Sequence, residues 1–135
     1  MSRSKQVAAA YQTAMQTAAP LERVVLLYDG ILIRVAAAAA AARRKDYETQ
    51  FTEVMRAAKI VNGLNRYLDM EAGGPVARSL REMYQAVAKA LLSSVGRSTG
   101  PEALDKIGAA VRNTRNAWAE IAGMPISTPI DRPTR

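Results

Sequence analysis

An all-α fold, an antiparallel up-down-up-down four-helix bundle with a short extra N-terminal helical segment, is predicted by three observations. Four stretches repeat apolar residues at three- and four-residue steps, strand-like alternation is absent, and the stretches are parted by short breaks marked by Asp, Gly-Gly-Pro or Gly-Pro. Connections this short make sequence neighbours antiparallel.

The short segment runs from about Lys5 to Met15 and places Val7 and Tyr11 one turn apart on one face. The first long helix starts near Pro20 and ends near Arg43, with Leu21, Val24, Val25, Tyr28, Ile31, Leu32 and Val35 as its stripe. The second opens with Asp46 as N-cap, follows Val54, Ala57, Val61, Leu64 and Leu68, and runs through Asn62-Gly63 because the period overrides the turn signal. Val76, Leu80, Met83, Val87 and Leu91 make the third. Leu104, Ile107, Val111, Thr114, Trp118 and Ile121 make the fourth, after Gly100-Pro101. The resulting organisation is an N-terminal segment over 1–18, the bundle over 19–122 and a tail over 123–135 whose prolines and lack of period predict disorder.

Between the second and third stripes, Gly73 is suited to end one helix in a left-handed conformation, and Pro75 suits a first helical position, where no amide hydrogen is needed. Asp69 and Glu71 then crowd the negative end of the preceding helix dipole, a placement that asks for a partner elsewhere.

The chain of 135 residues is 49% hydrophobic, enough for one domain with a real core. It has neither cysteine nor histidine. That excludes disulfides, thiolate metal sites and cysteine nucleophiles, and removes the usual general base and most zinc and iron sites; no cofactor is expected. The net charge of +7 permits nucleic acid, an anionic surface or an acidic protein as partner, while 5% aromatic residues offer few stacking platforms. The basic run Arg43-Arg44-Lys45 adjoins a helix C-terminus, where cations are favoured, so it reads as capping, with nucleic acid the alternative. The stretch from Leu21 to Ala42 carries Glu22, Arg23, Asp29 and Arg34 and is a poor membrane-spanning helix; a soluble protein with no membrane insertion is expected. The alanine run Ala36 to Ala42 favours a helix and leaves a smooth surface, read as cheap helix or as docking face.

Leu26 and Ile33 project from a second face of the first long helix, seven residues apart with Gly30 between them. This surplus apolar surface is either buried against two neighbours or a groove for an incoming amphipathic segment. Asp29 has Val25, Leu26, Leu32 and Ile33 three and four positions away, none able to pair with it, so it needs a partner from outside its own helix or stands in solvent beside Gly30. Tyr28 and Trp118 read as core aromatics with a polar handle.

Leu27-Tyr28-Asp29-Gly30, Leu68-Asp69-Met70 with Gly73-Gly74, Leu80 with Met83-Tyr84, and Arg115 with Trp118 occur in this order. Together with Tyr11 before Ala19-Pro20 they make the chain resemble the flagellar export chaperone family FliS from about Tyr11 to Ile121. The resemblance implies a cytoplasmic, non-enzymatic chaperone that binds the disordered C-terminal segment of flagellin, prevents its premature polymerisation and passes it to a gate component of the flagellar type III export apparatus. It also implies that Tyr11, with Val7, lies in a mobile segment able to cover a groove, and that Asp29 and Asp69 match acids of the family's motifs. With Leu26 and Ile33 these residues form the expected partner-binding set; internal salt bridges are the alternative for the two acids. Departures from the family pattern are Ala18, where a Ser often precedes the proline, Pro75 after the two glycines, and Gln85-Ala86 in place of a second aromatic.

Two other readings compete. A helical enzyme of the chorismate mutase kind would gather several basic side chains in one buried pocket, whereas these stripes are almost entirely apolar. A nucleic-acid-binding bundle would place its basic residues on one face, whereas Lys and Arg are spread over every helix; no nucleic acid is expected. Self-association of the free chain through an empty groove is a further expectation.

Overall fold

The structure, a computed structural model, describes residues 21–128. Four helices account for most of them, with no strand among the described residues: α1 (Leu21–Arg43), α2 (Tyr47–Arg66), α3 (Met70–Ser93) and α4 (Gly100–Ala122). α1 is the central helix, packed along α2 on one side and α4 on the other. α3 packs on α2 and touches α4 only sparsely.

Why the helices turn back so sharply can be read from their ends. At the end of α1 the Asp46 amide donates to the Ala41 carbonyl at 2.9 Å and the Lys45 amide to Ala42 at 3.0 Å, with Lys45 at φ 62° in the left-handed region usually left to glycine. Asp46 then caps α2, its carboxylate accepting from the Thr49 amide at 3.1 Å. The basic run joins this end to the rest of the bundle: Arg43 pairs with Asp105 of α4 at 2.6 Å, and Arg44 with Asp46 at 3.6 Å.

The second turn differs from expectation. α2 stops at Arg66, and Asp69 is the N-cap of α3, accepting from the Ala72 amide at 2.9 Å. Its charge therefore sits at the positive end of a helix dipole, where it is favoured, and the unfavourable placement expected for it does not arise. Left-handed geometry falls on Gly74 (φ 54°, ψ −130°), one residue later than expected, and kinks α3 immediately before Pro75.

The third turn is tied down by Gln50, a fully buried polar side chain on α2. Its Nε2 donates to the Ser94 carbonyl at 3.2 Å and its Oε1 accepts from the Gly96 amide at 3.4 Å. This pairs both ends of the buried carboxamide and fastens the loop to α2. A Cβ at Gly100 would lie 2.4 Å from the Ser94 carbonyl oxygen, so no other residue fits where α4 begins.

Aromatic residues join three helices at the centre. The Tyr28 and Tyr84 hydroxyls are 2.7 Å apart, and the Tyr28 ring lies 6.3 Å from that of Tyr84 and 6.4 Å from that of Trp118, tilted against both. Of the alanine run, Ala38, Ala39, Ala41 and Ala42 are buried, so its smooth surface serves helix packing inside the bundle. By length and composition α1 alone is apolar enough to cross a membrane among the described residues. Residues buried on its two packed flanks and the exposed Leu26, Leu27 and Ile33 together make up that hydropathy.

Candidate functional site

Of the residues expected to bind a partner, Val7 and Tyr11 lie outside the described residues. Leu26 and Ile33 share the outer face of α1, 58% and 63% exposed, so this surplus apolar surface is not used up against two neighbours. Gly30 between them turns toward α2: a Cβ there would stand 3.3 Å from the Ile60 Cδ1, making the glycine a packing choice in the α1–α2 seam.

Asp29 has an internal partner. Arg115 of α4 donates from Nε to Oδ1 at 2.8 Å and from Nη2 to Oδ2 at 3.3 Å, a two-pronged pairing that fits the planar guanidinium. Among the described residues Arg115 is the one buried charged side chain, while a third of the Asp29 side chain remains open to solvent. Asp69 is engaged as the α3 cap. Leu26 and Ile33 thus form a surface, whereas the two acids serve the bundle itself.

The structure adds a second apolar track, which lies off the core stripe of α2. Phe51 and Met55, one turn apart on α2, are 51% and 43% exposed and line an open groove of about 600 Å³. Ala58 forms part of its wall, and Arg56, Lys59 and Arg66 give it a basic rim. The available signal was the spacing of Phe51 and Met55, which falls off the stripe through Val54, Ala57, Val61 and Leu64. A smaller cleft of about 420 Å³ opens where α3 and α4 diverge, between Val76, Leu80 and Met83 on one wall and Thr114 on the other.

Electrostatics around these surfaces are simple. Glu53 on α2 holds both Arg34 and Arg56 at 3.2 Å. The titrations shifted by local contacts lie at the α1–α2 turn: the Asp105 hydrogen bond and charge raise Arg43, and the hydrogen bonds from Thr49 hold the Asp46 carboxyl below its ordinary range. No group of three metal-binding side chains occurs among the described residues, and no buried pocket there gathers several basic groups. What the arrangement offers chemically is adhesive: exposed apolar tracks, one with a positive rim, on a bundle whose core is already filled.

Comparison with known proteins agrees with this picture. The family model described as "Flagellar protein FliS" matches residues 3–125. A flagellar secretion chaperone FliS of Salmonella typhimurium is 27% identical over 112 residues, 82% of each chain. A flagellar secretion chaperone FliSB of Pseudomonas aeruginosa is 28% identical over 82% of this chain and 87% of its own. A FliS of Campylobacter jejuni is 30% identical over 76% of this chain and 79% of its own.

Proposed function

As the chain belongs to the FliS family of flagellar proteins, a family of export chaperones and not of enzymes, we propose that it binds the disordered C-terminal segment of flagellin in the cytoplasm, keeps it from polymerising and hands it to the flagellar type III export gate. The observation that carries this reading is the exposed apolar face of Leu26 and Ile33 on the helix that otherwise forms the centre of the core. A disordered client lays amphipathic stripes onto such tracks and orders as it binds, at an entropic cost that a broad contact offsets. The basic rim of the Phe51–Met55 groove favours a client segment carrying carboxylates on its polar side. In this reading Val7 and Tyr11 belong to a segment that covers a groove until the client arrives, and the uncovered grooves let free chains self-associate.

The test is isothermal titration of the full chain with a peptide covering the C-terminal region of flagellin from the same source, against an equally charged scrambled peptide. Saturable one-to-one binding of the native peptide alone, with a negative heat-capacity change, is expected. Equal binding of both peptides, or of neither, overturns the reading.

A further inference from the structure

The stretch after α4, expected from composition to be disordered, is held by hydrogen bonds as far as Ser127. Gly123 closes α4 in the left-handed conformation at φ 74°, and the Met124 amide donates to the Ala119 carbonyl at 2.8 Å while its side chain packs on the core. From there two adjacent α4 residues hold the backbone alone. Arg115 Nη1 donates to the Pro125 carbonyl at 2.6 Å. Asn116 Nδ2 donates to the Ser127 carbonyl at 2.8 Å, and its Oδ1 accepts from the Ser127 amide at 2.9 Å.

The Asn116 side chain thus acts as a neighbouring strand's peptide group does, giving and taking one hydrogen bond with a single residue. Nothing in the pattern reads a side chain: Ile126, between the held residues, is 57% exposed. The fit requires an extended backbone with a carbonyl at one position and both a carbonyl and an amide hydrogen two positions on. Arg115 is independently oriented by Asp29 and by its bond to Asn116 Oδ1 at 3.2 Å, so the donors stay in place when the tail leaves. The tail itself is held past Met124 by three short hydrogen bonds and is tethered, which makes it a weak ligand at high local concentration.

We propose that Arg115 and Asn116 form a backbone-reading clasp for an extended polypeptide, filled in the free protein by the chain's own Pro125–Ser127 and taken over by an extended stretch of client in the complex. The identity of the incoming segment rests on the chaperone reading; the clasp does not.

Two arms test it on the full chain. Ser127→Pro deletes the amide that Asn116 accepts and loosens the tail without altering the clasp. In that variant the Asn116 side-chain amide resonances move, and an acetylated peptide of residues 123–128 at millimolar concentration returns them toward their wild-type positions. The same peptide N-methylated at the position of Ser127 does not. Asn116 resonances that ignore the peptide overturn the clasp. In the second arm the flagellin C-terminal peptide binds Ser127→Pro about three- to tenfold more tightly than wild type, and Asn116→Ala more weakly by a similar factor, the range expected for one or two hydrogen bonds. Equal affinity across the three proteins overturns client entry into the clasp. No binding to any of them overturns the chaperone reading and leaves the first arm to decide the clasp.

Discussion

Asp29 on α1 and Arg115 on α4 face each other with both carboxylate oxygens matched by guanidinium hydrogens, at 2.8 and 3.3 Å, closing the side of the bundle where α1 meets α4. Removing the buried partner leaves a half-buried carboxylate without its cation and releases the Pro125 carbonyl. Arg115→Ala should cost about 2–3 kcal/mol, less than a fully buried pair because Asp29 is partly solvated. Asp29→Asn, which keeps an acceptor, should cost about 1 kcal/mol. Urea midpoints of the two variants check the order.

The Tyr28–Tyr84 hydroxyl bond links α1 to α3 through the core. A double-mutant cycle of Tyr28→Phe and Tyr84→Phe should return a coupling of about 0.5–1.5 kcal/mol. A coupling near zero would mean the hydroxyls stabilise the bundle independently of each other.

The exposed tracks should separate binding from stability. Leu26→Ser with Ile33→Ser, and Phe51→Ser with Met55→Ser, remove apolar side chains that are about half exposed and lie outside the core cluster. Each substitution should cost about 1 kcal/mol in stability, well short of a core truncation. Affinity for the flagellin C-terminal peptide should fall about tenfold or more in each double variant if that track is a central contact. Unchanged titration curves for both would remove these faces from the client surface.

Asp69 distinguishes a cap from an anchor. As a cap, Asp69→Ala should cost about 0.5–2 kcal/mol in thermal or urea unfolding while Asp69→Asn costs much less, since asparagine caps equally well. An anchor that needs the charge would show the reverse pattern: Asp69→Asn would lose client affinity at unchanged stability.

Acid sensitivity should trace in part to Asp46. Its hydrogen bonds from Thr49 hold the folded carboxyl below the ordinary value of 3.8, so their stabilising contribution is complete above that pH and disappears as pH falls through the folded value. Asp46→Asn keeps an acceptor for Thr49 but binds no proton there. Below about pH 4 its urea midpoint should decline less steeply than that of wild type.

Most of the architecture was legible because each helix buries one continuous stripe, which periodicity reports directly. The seven-residue spacing of Leu26 and Ile33 also marked two side chains that the fold leaves exposed. Asp29 was legible only as a question, since a helical wheel shows neighbours three and four residues away and its partner lies on another helix at Arg115. Asp69 was misplaced by two steps of boundary: with α2 carried to Leu68, the same acid reads as closing a helix when it opens one. Gln50 gave no signal at all, because a polar residue near a helix start looks solvated until the loop carbonyl it satisfies is folded over it.

The sparse meeting of α3 and α4 makes the bundle three sealed seams in a row, not a closed ring. α3 is then held like the last page of a book, sewn along its α2 edge and pinned to α1 at the Tyr28–Tyr84 bond, with its other edge largely unbound. The cleft lined by Val76, Leu80 and Met83 lies along that open edge, facing Thr114 of α4. That margin can be reached from outside without parting α1 from either of its neighbours.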